Sequence, residues 1–390
     1  MGTPYGQDPA GRDPAELVAL RRVLGWMLAP EPGDAAATPD CSALEAGPLL
    51  AAVARHRLEL CLSPHAATLG CPAVVVAELQ RRAGLQRLGG LALAGLAREL
   101  IPRFEAAGVR VLVFKGPLLA AQTCGDPAGR GSGDLDLLVD PAEVEASIAV
   151  LEGAGFQRLP GYAPRQLRRR AWRYARWAMK ELPLTRGPLL VDLHWALTNV
   201  QRQRPGFEAA WRERQEIPIG ERPVPTLGLA HALEHLAAHA LDDRWGELRA
   251  LVDLVRLMRL RGEFLGQDLS ERPAVALAWA VAGTLLEVRL PGPGDLCRLT
   301  RRQRWAVQVA RRTQREPLHL HQRGPWHLDR AWELWYQRVA LSRSPQDWLR
   351  SAAAYALPPA AFNDPRSGQD RSLAAALASR LARVQERLNP

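Results

Sequence analysis

GRGSGDLDLLVD, residues 129–140, sets a run of apolar residues around two acids, Asp134 and Asp136. Leu135, Leu137, Leu138 and Val139 predict a buried strand, in which alternate side chains share a face. Asp134 and Asp136 would then point the same way, their backbones roughly 6–7 Å apart. Like charges side by side on one sheet face repel unless something positive lies between them. The Gly-Ser-Gly-Asp lead-in is turn chemistry, but a turn does not need a second aspartate inside the apolar run that follows. The stretch therefore predicts a place kept for cations. Gly131–Gly133 would leave the backbone open to a phosphate.

The flanking segments supply the rest of the pattern. VRVLVF, residues 109–114, predicts a short buried strand that ends in Lys115-Gly116. Gly116 then Pro117 is a helix entry, with proline in the first turn. Backbone amides at a helix start attract anions, and Lys115 adds a full charge. The chain is rich in arginine, and Lys115 and Lys180 are its only two lysines. In such a chain a lysine marks a place that wants a compact ammonium. PLLVDLHWAL, residues 188–197, predicts a further strand with Leu190, Asp192 and His194 on one face. His194 reads as a hydrogen-bonding support for the acids. Residues Trp177–Leu184 predict a neighbouring strand that carries Lys180, either as a second phosphate or acceptor contact or as an exposed strand lysine. Three carboxylates from two strands beside a phosphate-binding helix start fit metal-dependent nucleotidyl transfer. Hard oxygens suit Mg²⁺, and two such ions can stabilise the attacking and leaving oxygens of an in-line displacement.

The segment VRVLVFKGPLLAAQTCGDPAGRGSGDLDLLVDPAEVEASIAVLEGAGF resembles a bacterial nucleotidyltransferase family within the DNA polymerase-β-like superfamily. The shared pattern is Lys-Gly, a short helix, Arg-x-x-Gly-Asp-x-Asp, a strand, and a helix ending in Gly-Phe; VDLHW resembles the later motif with the third acid. The likeness is strongest over about 101–200 and fades towards 50 and 260. It implies an α+β fold, a small mixed sheet flanked by N-terminal and C-terminal helical regions. It implies Asp134, Asp136 and Asp192 as catalytic ligands of Mg²⁺ or Mn²⁺. It implies Lys115, Gly116, Ser132 and Gly133 against the triphosphate of an NTP, with Arg130 nearby. The wider superfamily usually carries Gly-Ser where this chain has Lys-Gly. The acceptor would be a small molecule, a natural-product peptide, a protein or RNA. The contrasting class is a non-catalytic binder in a biosynthetic or toxin–antitoxin system, against which the intact acids speak.

Two other motifs suggest different chemistry. HALEH, His231 to His235, matches the H-x-x-E-H spacing of a zinc hydrolase with Glu234 as base. The plainer reading is a helix packed beside the sheet, with His235, His239 and Asp253 lining a cleft. RQLRRRAWRYARW, Arg165 to Trp177, mixes cations and aromatics as an RNA-binding surface does. The plainer reading is a solvated amphipathic helix in an arginine-biased protein.

Composition sets the frame for these readings. The chain has 390 residues, 47% hydrophobic and 24% charged, with net charge +10. That is a globular profile with room for several domains. The arginine bias matches a GC-rich bacterial genome and leaves a polyanionic substrate open. Cys41, Cys61, Cys71, Cys124 and Cys297 form no C-x-x-C pair, which predicts free thiols in a reducing cytoplasm. No apolar run is long enough to span a bilayer and the N-terminus has no signal-peptide core, so no membrane partner is expected. The expected division is a disordered tail over 1–14, a helical region over 15–103, the nucleotidyltransferase core over 104–222 and a helical domain over 223–390.

Overall fold

LDLLV, the strand at the centre of the opening motif, is buried along its whole length. A strand covered on both faces reads as a continuous apolar run, and Asp136 is the one polar residue inside it. The computed structural model describes residues 13–29, 37–159, 170–198, 206–292, 299–316, 345–356, 362, 371–372 and 374–378. Cys297, most of the expected tail over 1–14 and much of the expected C-terminal helical domain lie outside them.

The chain opens with α1 (Ala15–Met27), α2 (Ala46–His56), the single turn α3 (Glu59–Leu62) and the long α4 (Ala73–Ala106). Then come β1 (Val111–Phe114), α5 (Gly116–Cys124), β2 (Leu135–Val139), α6 (Val144–Gly153), β3 (Gln157–Arg158) and α7 (Arg170–Ala178). Next are β4 (Glu181–Arg186), β5 (Leu189–His194), α8 (Phe207–Arg212), β6 (Gln215–Ile219) and β7 (Arg222–Thr226). The helices α9 (Leu229–Asp242), α10 (Leu248–Arg261), α11 (Leu265–Glu271), α12 (Pro273–Leu286), α13 (Arg301–Arg315) and α14 (Pro345–Ala356) follow. The fold is α+β with a mixed sheet, as the motif order predicts. The chain divides into two compact units, each discontinuous in sequence. Two of the divisions fall inside α4 and α5.

One unit takes the described parts of Ala92–Leu118, Gly133–Gly228 and Arg338–Pro390. Its five-stranded sheet has the order β1-β2-β5-β4-β3. β2 and β5 are parallel, and the other neighbours are antiparallel. A parallel pair needs a crossover, and α6 begins it. Asp140 accepts from the Ala142 amide at 2.7 Å and caps the turn that leads in. Val144, Ile148 and Leu151 then bury one stripe of α6. β6 and β7 form a separate hairpin against β1.

The structure corrects the expected strand over 177–184. Residues 170–178 are helical, and the strand runs Glu181–Arg186. The Arg/aromatic run is amphipathic at helical spacing: Trp172 and Ala175, three apart, are buried together. The Trp172 indole donates to Glu145 at 3.1 Å, and the Tyr174 hydroxyl to the Ala353 carbonyl at 2.8 Å. These two rings are therefore spent on packing. Residues 165–169 lie outside the described set. The hairpin β6–β7 is not expected from the sequence. Pro218, Pro223 and Pro225 argue against strands because proline cannot donate to a ladder. A two-stranded ribbon tolerates them, with Gly220 at φ 67 in its turn.

The other unit takes the described parts of Met1–Leu91, Leu119–Ser132 and Leu229–Gln337. α12 is its apolar centre, with Ala278, Val281, Ala282 and Leu285 buried. α1 crosses it closely at Gly25, where a β-carbon would lie 2.3 Å from the Leu286 carbonyl oxygen. Thr300 and Gln303 close a capping box at the start of α13. Asp13, which the expected division places in the tail, pairs with Arg21 at 2.6 Å and also with Arg315.

Candidate metal centre

β1 delivers its last residue, Phe114, opposite Asp136 on β2. The chain then turns at once into α5, with Lys115 at φ 56 and Gly116 at φ 41. Glycine takes a positive φ freely; a lysine there is uncommon and marks a constrained corner. The corner directs the Lys115 ammonium back over the sheet, 3.4 Å from Asp136 Oδ1.

The parallel pairing of β2 and β5 places Asp136 directly beside Asp192, and Leu138 beside His194. Neighbouring strands lie about 4.8 Å apart, so the two carboxylates are held close by backbone alone. Asp136 is 3% exposed and His194 is completely buried. The ring Nε2 of His194 lies 2.9 Å from Asp136 Oδ1. That bond spans two residues on adjacent strands and sets the carboxylate's orientation.

β4 adds a residue that the sequence motifs leave out. Glu181 stands opposite His194 in the antiparallel register. Its Oε2 is 3.2 Å from His194 Nδ1, but outside hydrogen-bonding geometry, and Nδ1 makes no hydrogen bond. The same oxygen is 2.7 Å from the Lys180 ammonium. A signal for it is present in the sequence: a glutamate opens an apolar strand beside one that carries Asp-x-His. Starting that strand at Trp177 hides it.

The electrostatics follow from this crowding. The Asp192 carboxyl is pushed up to about 7, first by burial and then by Glu181, Asp136 and Asp134. Lys180 pulls it partly back. Burial alone would raise Glu181 too, yet His194, Lys180 and Lys115 outweigh it and bring the group down to about 2. Burial lowers the pKa of His194 against the pull of Glu181 and Asp136. Asp192 sits beside charges of its own sign. A site that penalises its own ionisation in this way suits an added cation.

Asp136, Asp192 and His194 each offer a ligand atom, and these atoms lie within 4.8 Å of one another. Among the described residues no other three His, Cys, Asp or Glu groups converge in that manner. Carboxylate oxygens fit a hard divalent cation, and the imidazole adds a donor or holds Asp136. Asp134 precedes β2 by one residue and is half-buried. It stands outside the converging trio, though its charge reaches Asp192.

The remaining sequence-predicted residues are placed as follows. Gly116 is the first residue of α5, and Gly133 is exposed with open space on its β-carbon side. Arg130 and Ser132 belong to the other unit. There Arg130 pairs with Asp253 of α10 at 2.6 Å, with both side chains less than a tenth exposed. Arg249, also on α10, donates to the Gly131 carbonyl. His235 and His239 stand on α9 in that same unit, their rings perpendicular and 6.1 Å apart. His239 Nδ1 lies 2.9 Å from Asp243, and Glu234 pairs with Arg272 at 3.2 Å. The H-x-x-E-H spacing on α9 thus assembles no metal-binding group among the described residues.

The model of a family described as an uncharacterised nucleotidyltransferase matches residues 42–280. The chain belongs to that family. The match takes in Lys115, Asp134, Asp136, Glu181, Asp192 and His194. A search of curated proteins gave no match. Among solved structures, an antigenic nucleotidyltransferase-like protein from Paracoccidioides brasiliensis is similar at 15% identity. The likeness covers 52% of this chain and 93% of that one, with a TM-score of 0.34. A likeness of that size adds nothing to the assignment. No helix among the described residues is long and apolar enough to cross a membrane.

Proposed function

We propose that this nucleotidyltransferase is a divalent-cation-dependent enzyme. It moves a nucleoside monophosphate from an NTP to an acceptor hydroxyl and releases pyrophosphate. The observation that supports this most is the register pair Asp136–Asp192, two carboxylates held side by side by the pairing of β2 and β5.

Asp136 and Asp192, with Asp134 beside them, would hold Mg²⁺ or Mn²⁺. When bound, the ion supplies charge neutralisation at the transferring phosphorus and lowers the cost of gathering these acids. The protein's own groups do the rest. His194 fixes the Asp136 carboxylate through its 2.9 Å contact. Lys115 and the first amides of α5 receive the triphosphate, since a helix start and an ammonium both favour anions. Lys180, whose charge reaches Asp192, would share in phosphate or acceptor contact. Burial and the neighbouring acids raise the Asp192 carboxyl in the cation-free protein; with the ion bound it would be ionised and could accept the acceptor's hydroxyl proton.

The test is incubation with each α-labelled NTP, Mg²⁺ and cell extract, following label transfer and pyrophosphate together. Transfer by the wild type and none by a folded Asp136→Asn variant is expected. Equal transfer by both proteins removes the reading.

A further inference from the structure

The helical unit carries a second concave site. A cavity of about 760 Å³ opens between α1, the end of α12 with the turn after it, and α13. Arg21, Arg22, Trp26, Thr284, Arg289 and Arg311 are among its walls. Cavities of roughly 300–1,000 Å³ are the usual size for small-molecule ligands.

Its charge is unbalanced. Arg22, Arg289 and Arg311 are exposed and form no ion pair or hydrogen bond among the described residues. Arg21 is buried, and it is held by Asp13 at 2.6 Å and by Gln314 at 2.7 and 3.0 Å. Two carboxylates line the cavity, Asp13 and Glu287. Asp13 is already bracketed by Arg21 and Arg315. Burial lowers the pKa of Arg21, Asp13 raises it again, and Arg311 and Arg315 press it down. The cleft therefore holds more positive charge than its acids balance.

A further feature points to a ligand rather than to a bare basic surface. Trp26 packs at right angles to His65 with ring centres 5.6 Å apart, which fixes the indole before any ligand arrives. Guanidinium forks match phosphate oxygens in pairs, and a fixed indole offers a face to a planar ring.

We propose that this cleft is a second, cation-independent site that takes a nucleoside phosphate, with Arg22, Arg289 and Arg311 on the phosphates and Trp26 against the base. The proposal does not depend on the transfer reaction, because none of these residues belongs to the carboxylate centre.

The experiment is isothermal titration of the full chain with ADP in EDTA, for the wild type and for Asp136→Asn. Saturable binding of equal affinity in both is expected. Arg22→Ala and Arg311→Ala should each weaken it about tenfold, the scale of one charge-assisted hydrogen bond. Trp26→Ala should weaken it as well, and inorganic pyrophosphate should bind more weakly than ADP. Arg22 and Arg311 are exposed, so unchanged melting curves separate lost binding from lost folding. No saturation in EDTA overturns the proposal, as does loss in Asp136→Asn or indifference to both arginine variants. Pyrophosphate binding as tight as ADP overturns the role of the ring. A single-stranded oligonucleotide that binds where ADP does not overturns the small-molecule class.

Discussion

Two stretches of this chain look like metal sites, and they meet different fates. The acids of β2 and β5 come from strands 56 residues apart in sequence and end side by side (Asp136 and Asp192). The histidines of α9 are neighbours in sequence, yet no metal-binding group forms around them among the described residues. Glu234 is taken by Arg272 and His239 leans on Asp243. A helix sets two histidines on one face by spacing alone, but a site needs further ligands from elsewhere. A sheet supplies them by register. The difference teaches that convergence between elements, which spacing within one helix does not supply, is what makes the first stretch the stronger candidate.

The hardest blow to this contrast comes from Asp136→Asn. The amide keeps the shape and removes the charge that the centre is built around. NTP turnover should fall at least about a hundredfold, the scale on which loss of one charge-stabilising group slows other enzymes. Mn²⁺ binding followed by titration should vanish with it, while the melting curve stays within a few degrees. Turnover within tenfold of wild type would show that the carboxylate pair is not the centre.

That pair is half legible in the amino-acid sequence. Alternation of Asp136 with Leu135 and Leu137, and of Asp192 with Val191 and Leu193, marks acids inside buried strands. The adjacency of β2 and β5 is not legible there, because nothing local encodes which strands become neighbours. Glu181 escapes for the same reason: its place opposite His194 depends on β4 lying next to β5. The α+β class and the strands around Val111–Phe114 and Leu189–His194 are legible because their apolar runs are bounded by glycine and proline. The helix at 170–178 overlaps the expected strand because its aromatics also suit a strand. Arg130 shows a different gap. Its pairing with Asp253, 123 residues away, cannot be read from its motif position.

Asp192 gives the comparison a pH axis. Its folded pKa of about 7 lies above its usual 3.8. Between those values the folded form holds a proton that the unfolded chain has released. Stability of the cation-free protein should therefore be greatest below about pH 4 for this group and decline as pH rises through 7. The loss by pH 8 is at most about 4 kcal/mol, since each pKa unit is worth about 1.4. Mg²⁺ or Mn²⁺ competes with that proton, so the rise in melting temperature on adding the ion should grow from pH 6 to pH 8. Asp192→Asn should flatten both trends. Melts at four pH values, with and without ion, decide it. An unchanged slope in the variant would mean that the crowding around Asp192 is not what titrates.

His194 ranks next, because it acts on Asp136 rather than on substrate. Replacing an orienting partner of a metal ligand typically costs about 10–100-fold in metal affinity or activity. His194→Asn should show that loss as a higher Mn²⁺ concentration at half-maximal rate, with the maximal rate at saturating ion less affected. Lys115→Met should show the complementary split, a raised KM for NTP at unchanged ion dependence. Identical profiles for the two variants would mean that His194 and Lys115 do not have separate roles.

The smallest effect is predicted where the zinc motif stands. Glu234→Gln removes the group that would serve as base in an H-x-x-E-H hydrolase. In this structure it removes only the partner of Arg272, which also pairs with Asp268 at 2.5 Å and so keeps a carboxylate. A partly exposed ion pair is worth about 0–1 kcal/mol, so the melting temperature should barely move. NTP turnover per folded molecule should stay within about twofold, because no atom of α9 belongs to the carboxylate centre. Elemental analysis should find no stoichiometric zinc in either protein. Zinc at one equivalent in the wild type and lost in the variant would reverse the contrast, making the helix a site and leaving its closing ligand to be sought among residues outside the described set.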